Sequence, residues 1–356
     1  MKKSLTLTTA FISAVLSFSF VSCDSLTQAG TSQKDKAPSQ EQNTEEFQTF
    51  NYDENGEIIM NTNGYAEWAG VRHSSYGDFG YRHDSSDPSD MKEYVDAMKS
   101  FYKKNKTASA TGALIWIVGE VASGKKASCR LNFPEPDGIE IPDGLIFSDE
   151  DNNEEFLTVF DNAGYDVWLQ VEPGFVDLEK LASLVMTKYR NHKCVKGFGI
   201  DTEWYKNITD GNDGTPLDDL TAQKVDAAVK KVNPAYSVFA KHWDTKFLPP
   251  NYRGKNNDMI FVTDSQYFES LEEMKEHYSG WANHYAPNPV FFQIGYYARE
   301  GAYDEEPGSD EKIWKSFDKP LKNFGTEILK SLPENGQKRG IIWVDFSFLD
   351  AYDLSR

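Results

Sequence analysis

Asp201 and Glu203 are the residues on which chemistry is most readily built. They sit near the end of the run Val195-Lys196-Gly197-Phe198-Gly199-Ile200-Asp201-Thr202-Glu203-Trp204-Tyr205. On an extended strand, side chains two residues apart point the same way, so an extended run places both carboxyls on one face. Two carboxylates that close repel each other, and one of them tends to keep its proton near neutral pH. A protonated acid beside an ionised carboxylate is what cleavage of a glycosidic bond requires. The bland alternative for an Asp-x-Glu is a solvated acidic strand end. The scaffold decides between them.

That scaffold reads as a repeated unit. From residue 65 onward, short apolar runs alternate with amphipathic helical stretches. The strand-like runs fall at 67–72, 113–118, 166–174, the Asp201 stretch, 236–243, 259–264, 289–296 and 340–346. Several, such as Ala113-Leu114-Ile115-Trp116-Ile117-Val118, are apolar on both faces, which suits a parallel sheet covered on both sides. Helix starts are read at Ser89, at 148–151, at Asp177, at Thr221 and at a capping box over 270–273. A last long helix at 313–332 is interrupted by Pro320. Between the second strand and its helix lies an excursion at 120–147, long enough to carry short structure of its own. Eight such units over about 300 residues predict a single (β/α)8 barrel, with an open doubly wound sheet as the rival. Few residues follow the eighth run, so an incomplete last helix is expected.

Three segments organise the chain: 1–22, 23–46 and 47–356. The first has a positive start at Lys2 and Lys3 and an apolar stretch too short for a comfortable membrane span. It closes on Phe20-Val21-Ser22-Cys23, which resembles a bacterial lipoprotein signal with Cys23 as the lipidated residue. Ordinary secretion with a chance cysteine is the alternative, and either places the protein in the cell envelope outside the cytoplasm. The second segment is polar and reads as a disordered tether. The formal charge is −19, and loss of 1–22 removes Lys2 and Lys3 but no acid, leaving −21. A surface that acidic excludes nucleic acid as a partner and suits a neutral ligand. Cys129 and Cys194 could pair in an oxidising compartment but do not make a framework. The carboxylates are too scattered for a metal site, no cofactor is implied, and the chain is read as a monomer.

In a barrel the working groups gather at the C-terminal ends of the strands. Those ends carry Arg72 and His73, Glu120, Gln170 and Glu172, Asp201 and Glu203 with Tyr205, Lys241 to Asp244, Asp264 with Gln266 and Tyr267, Gln293 with Tyr296 and Tyr297, and Trp343 with Asp345. Aromatic faces stack on sugar rings, while carboxylates and amides grip hydroxyls. Gln170, Glu172, Tyr205, Trp243, Asp264, Tyr267, Gln293, Tyr296 and Trp343 are accordingly the candidate substrate-binding residues. Glu172, before a Pro-Gly turn, could equally fix a loop. His242 reads as a satisfied histidine rather than a catalyst. Tyr296 and Tyr297 point to opposite faces if both are extended, so at most one lines a site.

The run Lys196-Gly197-Phe198-Gly199-Ile200-Asp201-Thr202-Glu203 resembles the fourth-strand signature of family 18 glycoside hydrolases, the chitinases and endo-β-N-acetylglucosaminidases. Lys196 and Gly199 stand where that family usually has acids. Gly340-Ile341-Ile342-Trp343 resembles the family's last strand, whose Trp floors the sugar subsite. The resemblance implies substrate-assisted retaining hydrolysis of a glycan or glycoprotein containing N-acetylglucosamine. It would make Glu203 the acid and Asp201 the residue that orients the 2-acetamido group. Where the family uses a sixth-strand Tyr, this sequence has Asp264, with Tyr267 three residues on. Two alternatives stay open. One is a two-carboxylate glycosidase pairing Glu203 with Glu172 or Glu300, including the peptidoglycan-cleaving type that family 25 lysozymes represent. The other is a surface protein that binds sugar without turnover.

Overall fold

A computed structural model describes residues 64–73, 87–122, 128–209, 213–265, 268–297 and 309–355. The expectations for the signal, the tether, Cys23, Gln266, Tyr267 and Glu300 lie outside these residues. Among the described residues, no helix is long and apolar enough to cross a membrane.

The strands are β1 (Trp68–His73), β2 (Thr111–Val121), β3 (Cys129–Leu131), β4 (Leu145–Phe147), β5 (Asp166–Val171), β6 (Val195–Asp201), β7 (Ser237–Lys241), β8 (Ile260–Thr263), β9 (Val290–Ile294) and β10 (Arg339–Val344). The helices are α1 (Pro88–Phe101), α2 (Glu154–Ala163), α3 (Leu178–Lys188), α4 (Asp219–Val232), α5 (Leu271–Tyr285), α6 (Ser309–Lys315), α7 (Pro320–Ser331) and α8 (Asp345–Ser355). Eight strands, all except β3 and β4, run parallel in the order β1-β10-β9-β8-β7-β6-β5-β2. Pairing of β1 with β2 closes the ring. A closed ring excludes the open sheet, and the fold is a (β/α)8 barrel. The excursion does carry structure: β3 pairs antiparallel with the last residues of β2, and β4 extends it in parallel.

Local signals account for most element boundaries, with some displacements. Asp177 and Ser270 cap α3 and α5 as expected, and each accepts an N–H three residues on. Glu273 does not return its half of the box to Ser270; its Oε2 accepts from the Glu269 N–H at 2.8 Å instead. The cap of α1 is Asp87 rather than Ser89, with Pro88 at the first helical position. The cap of α4 is Asp218, which accepts from the Thr221 N–H and hydroxyl. Helix α2 begins at Glu154, after Asn153, and not within 148–151. Pro320 opens α7, so the expected interruption separates two helices. Where an incomplete last helix was expected, α8 starts directly at the end of β10 and runs 11 residues. Cys129 and Cys194 are both buried free thiols.

Strand alternation sorts the barrel into two apolar regions. Outward side chains such as Val71, Leu114, Trp116, Phe198, Ile200 and Trp343 join the helices in one continuous core. Inward side chains form a separate plug of Trp68, Ala113, Ile115, Trp168, Phe239, Ile260, Val262, Phe291 and Ile342. Within the plug, Trp68 meets Trp168 edge to face at 5.7 Å and Phe291 at 5.4 Å. Gly199 also faces inward, and a Cβ there would lie 2.0 Å from Cζ of Phe239. The phenyl ring of β7 thus occupies the space that a side chain on β6 would need.

Gly199→Ala is expected to cost roughly 1–3 kcal/mol, the usual scale of overpacking. Urea denaturation should show that cost shrinking in a Phe239→Leu background. An equal cost in both backgrounds would mean that the ring is not the obstacle.

Candidate active site

The apolar plug ends one layer below the C-terminal rim. The next inward positions are Arg72 on β1, Gln170 on β5, Asp201 on β6, Lys241 on β7 and Gln293 on β9, all buried. Asp264 and Tyr296, just past the ends of β8 and β9, are buried beside them. The period-two alternation that sends Trp168, Phe239 and Val262 into the plug sends Gln170, Lys241 and Asp264 into this polar layer.

Lys241 is its centre. Its ammonium lies 3.1 Å from Asp201 Oδ2 and 3.3 Å from Asp264 Oδ2. Arg72 approaches Asp201 Oδ2 at 3.9 Å, and Gln170 Nε2 donates to the same oxygen at 3.2 Å. Burial alone would push the Lys241 proton off, but the two carboxylates outweigh it and hold its pKa above the usual lysine range. Two cations and two carboxylates therefore offset one another in a region closed to solvent. Just past β9, the Tyr296 hydroxyl donates to Gln293 Oε1 at 2.8 Å. Burial raises the Tyr296 pKa, so this phenol is neutral. Gln170 Oε1 and Gln293 Nε2 have no hydrogen-bond partner among the described residues. Buried unpaired groups of this kind cost about 1–3 kcal/mol.

Glu203 reaches the rim by a different geometry from the one expected. The strand stops at Asp201, and Thr202–Trp204 form a 3₁₀ turn. The cause is local: the buried Thr202 hydroxyl donates to the Lys241 carbonyl at 2.7 Å, and the Tyr205 N–H closes the turn on the Thr202 carbonyl. Asp201 and Glu203 thus do not share a strand face; the turn carries Glu203 upward to a half-buried place while Asp201 stays beneath. Burial raises the Glu203 pKa most. Lys241 pulls it down, Asp201, Asp264 and Glu172 push it up again, and the result is about 8. At neutral pH Glu203 keeps its proton.

Trp204, next to Glu203 in the chain, and Trp243, after β7, are half-buried, and Phe175 is 62% accessible on the loop after β5. That loop is tied to the acid's own, since Gly174 bridges Tyr205 and accepts the Lys206 N–H.

Three of the expected sugar contacts point elsewhere. Trp343 faces outward and is fully buried, packed against Trp314 at 5.7 Å, with its indole N–H on Ser347 Oγ at 2.8 Å. Strand parity decides this, because Ile342 and Val344 take the inward positions. Tyr205 is buried in the outer apolar core, with Lys206 Nζ 4.9 Å over its ring. Glu172 is fully buried and accepts the Val121 N–H at 3.0 Å, so it braces the extension of β2 as the loop-fixing alternative held. Tyr297 turns away from the polar layer to donate to Asp350. His242 accepts the Asp244 N–H on Nδ1, so Nε2 carries the proton and donates to the Asp213 carbonyl at 3.0 Å. Burial lowers its pKa, and it is a neutral structural histidine.

Two groups escaped the sequence reading as site members. Lys241 and Arg72 were visible as strand-end residues, but nothing along the chain shows that Lys241 lies between two acids. The signal available was a lysine at an inward position of an otherwise apolar strand, where a charge must be paired. At the opposite end of β6, Asp161, His192 and Cys194 place ligand-type atoms within 4.8 Å of one another. Asp161 accepts the Cys194 N–H at 2.7 Å and contacts His192 Nδ1 at 2.9 Å, which ties the end of α2 to the start of β6.

The raised Glu203 pKa has a consequence for stability. The folded chain holds a proton that the unfolded chain releases above about 4.5, so stability is fullest below that pH and is lost progressively up to about 8. Glu203→Gln is expected to flatten this decline in denaturation midpoints measured across the interval. An unchanged slope would place the proton elsewhere.

No protein-family model and no curated protein matches the chain. Several solved structures overlay part of it, among them two beta-glucuronidases. Against a calcium-binding mutant of Bacteroides uniformis beta-glucuronidase 2, the TM-score is 0.35 at 11% identity, covering 56% of this chain and 26% of that one. Against Parabacteroides merdae beta-glucuronidase, it is 0.41 at 10% identity, covering 82% and 34%. The chain thus spans about a quarter to a third of the length of those proteins, and overlays of this quality say nothing about its chemistry.

Proposed function

We propose that this barrel is a glycoside hydrolase in which Glu203 is the general acid. The observation that carries the reading is Glu203 itself: a half-buried carboxyl at the rim, its pKa raised to about 8, above a buried Asp201. In the first step Glu203 gives its proton to the departing glycosidic oxygen as the bond to the anomeric carbon breaks. Glu203, now a carboxylate, later takes a proton from the attacking water. Asp201 supplies negative charge close to the positive charge that develops on the sugar.

The finer form of the proposal follows the resemblance to family 18. The nucleophile is the carbonyl oxygen of the substrate's own 2-acetamido group, so the substrate is a glycan with β-linked N-acetylglucosamine, chitin-like or an N-glycan core. Trp204, Trp243 and Phe175 supply ring faces at the rim. The two-carboxylate alternative with Glu172 as the partner is weakened by the engagement of Glu172 with Val121. We further propose that Cys23 anchors the protein to a bacterial membrane, with residues 23–46 as the tether. Radiolabelled palmitate should enter the wild type and not Cys23→Ser.

The deciding experiment is turnover of chromogenic chitobiose, a high-mannose glycoprotein and peptidoglycan by wild type and Glu203→Gln. Wild type should cleave an N-acetylglucosaminide, with kcat falling above a pH of about 8 as Glu203 ionises. The variant should lose about 10²-fold or more. Equal rates on sugars with a 2-hydroxyl in place of the acetamide would replace substrate assistance by a second carboxylate. Absence of any turnover would leave a binding protein.

A further inference from the structure

The polar layer contains more charge than an acid and its partner require. Lys241 is 2% exposed, Asp201 1% and Asp264 1%, and all three lie in the barrel mouth. We propose that Lys241 is a positioning residue of this site: its ammonium ties Asp201 on β6 to Asp264 beyond β8 and keeps both as aimed anions. The inference rests on the reading of Asp201 and Glu203 as the working pair, and extends it to a residue that need not touch substrate.

Three observations carry it. The first is geometric: one nitrogen contacts an oxygen of each carboxylate, at 3.1 Å and 3.3 Å. The second is backbone register. Asp201 and Lys241 are direct partners across β6 and β7, and the Lys241 carbonyl accepts from Thr202 where the acid-bearing turn begins. A displacement of Lys241 would therefore move Asp201 and the start of the Glu203 turn together. The third is charge balance. Two carboxylates forced to share a buried site cannot both stay ionised without a cation, and one takes up a proton. Arg72 reaches Asp201 only at 3.9 Å, leaving Lys241 as the close counter-ion to both acids.

The charged and titratable groups that face this trio are Arg72 from β1, Glu172 from the end of β5, Glu203 from the turn after β6, His242 beside Lys241 on β7, His277 from α5 toward Asp264, and Tyr296 after β9. Of these, Glu203 titrates at about 8 and would mask a proton on its neighbours. The test is therefore made in a Glu203→Gln background. Burial lowers the pKa of both histidines, and their ring resonances are followed across the pH range of the test so that their titration is separated from that of the acids.

Denaturant midpoints of the full chain are measured from about pH 5 to about pH 8, above the ordinary aspartate range, with and without Lys241→Met. In Lys241→Met the folded state holds an extra proton on the acidic pair. Its stability should therefore fall with rising pH, and the gap to its Lys241 parent should widen. A constant gap would show that Lys241 is only packing and would overturn the proposal. Should Lys241→Met not fold, Asp264→Asn answers the same question in the same background. With Lys241 present neither acid should carry a proton, so that variant should keep a pH-independent gap, and a sloping one would overturn the proposal.

Turnover separates this inference from the functional reading. If wild type cleaves glycosides, Lys241→Met in the Glu203 chain should gain an acid limb in kcat, with activity lost as pH falls, while KM changes little. If no glycoside is cleaved but the gap widens, the clamp stands and the hydrolase reading falls.

Discussion

An ammonium inside a barrel must be paired, and pairing it determines much else in this structure. Removing a lysine head from water costs several kcal/mol even after relaxation, and one carboxylate seldom returns that in full. Lys241 meets two, with Arg72 balancing the total charge. The arrangement requires an acid from the preceding strand and an acid just past the following one, at matched heights. Closed parallel pairing supplies that match, since β6, β7 and β8 are consecutive neighbours in the ring. The apolar plug below, with its interlocked indoles and phenyl rings, keeps water from offering a cheaper partner.

Glu203 gains its character from the same layer. It does not belong to the ion cluster, because the strand ends beneath it, yet it feels the cluster's field. Its own burial is the largest influence, and the nearby carboxylates reinforce it against the pull of Lys241. A surface glutamate in the same sequence context would be ionised at neutral pH. The Thr202 hydroxyl, by bonding to the Lys241 carbonyl, fixes how far above the cluster the acid sits.

The barrel was legible in the sequence because it depends on local patterning. Apolar runs, caps such as Asp177 and Ser270, and the break at Pro320 are short-range signals. Their errors are short-range too: an Asp two or three residues earlier outcompeted Ser89 and Thr221 for the cap. The site was legible in part. Asp201 and Glu203 announced themselves by spacing, though the strand ended between them. Trp343 was misplaced because inward and outward differ by a single residue, and the run Ile341-Ile342-Trp343-Val344 has no polar residue to mark the face. Lys241 was not assigned because its partners lie 40 and 23 positions away, and pairing across a ring is not written in either neighbourhood.

The contact between Gly199 and Phe239 constrains how this interior can change. The ring of Phe239 fills the space that a side chain at 199 would need. The two positions are coupled, and the order of exchange sets what the intermediate suffers. Trimming Phe239 first leaves a cavity, a cost that a stable barrel can absorb; adding a side chain at 199 first drives atoms together at 2.0 Å. One order passes through a hollow interior and the other through a crowded one, so the two substitutions should not be additive.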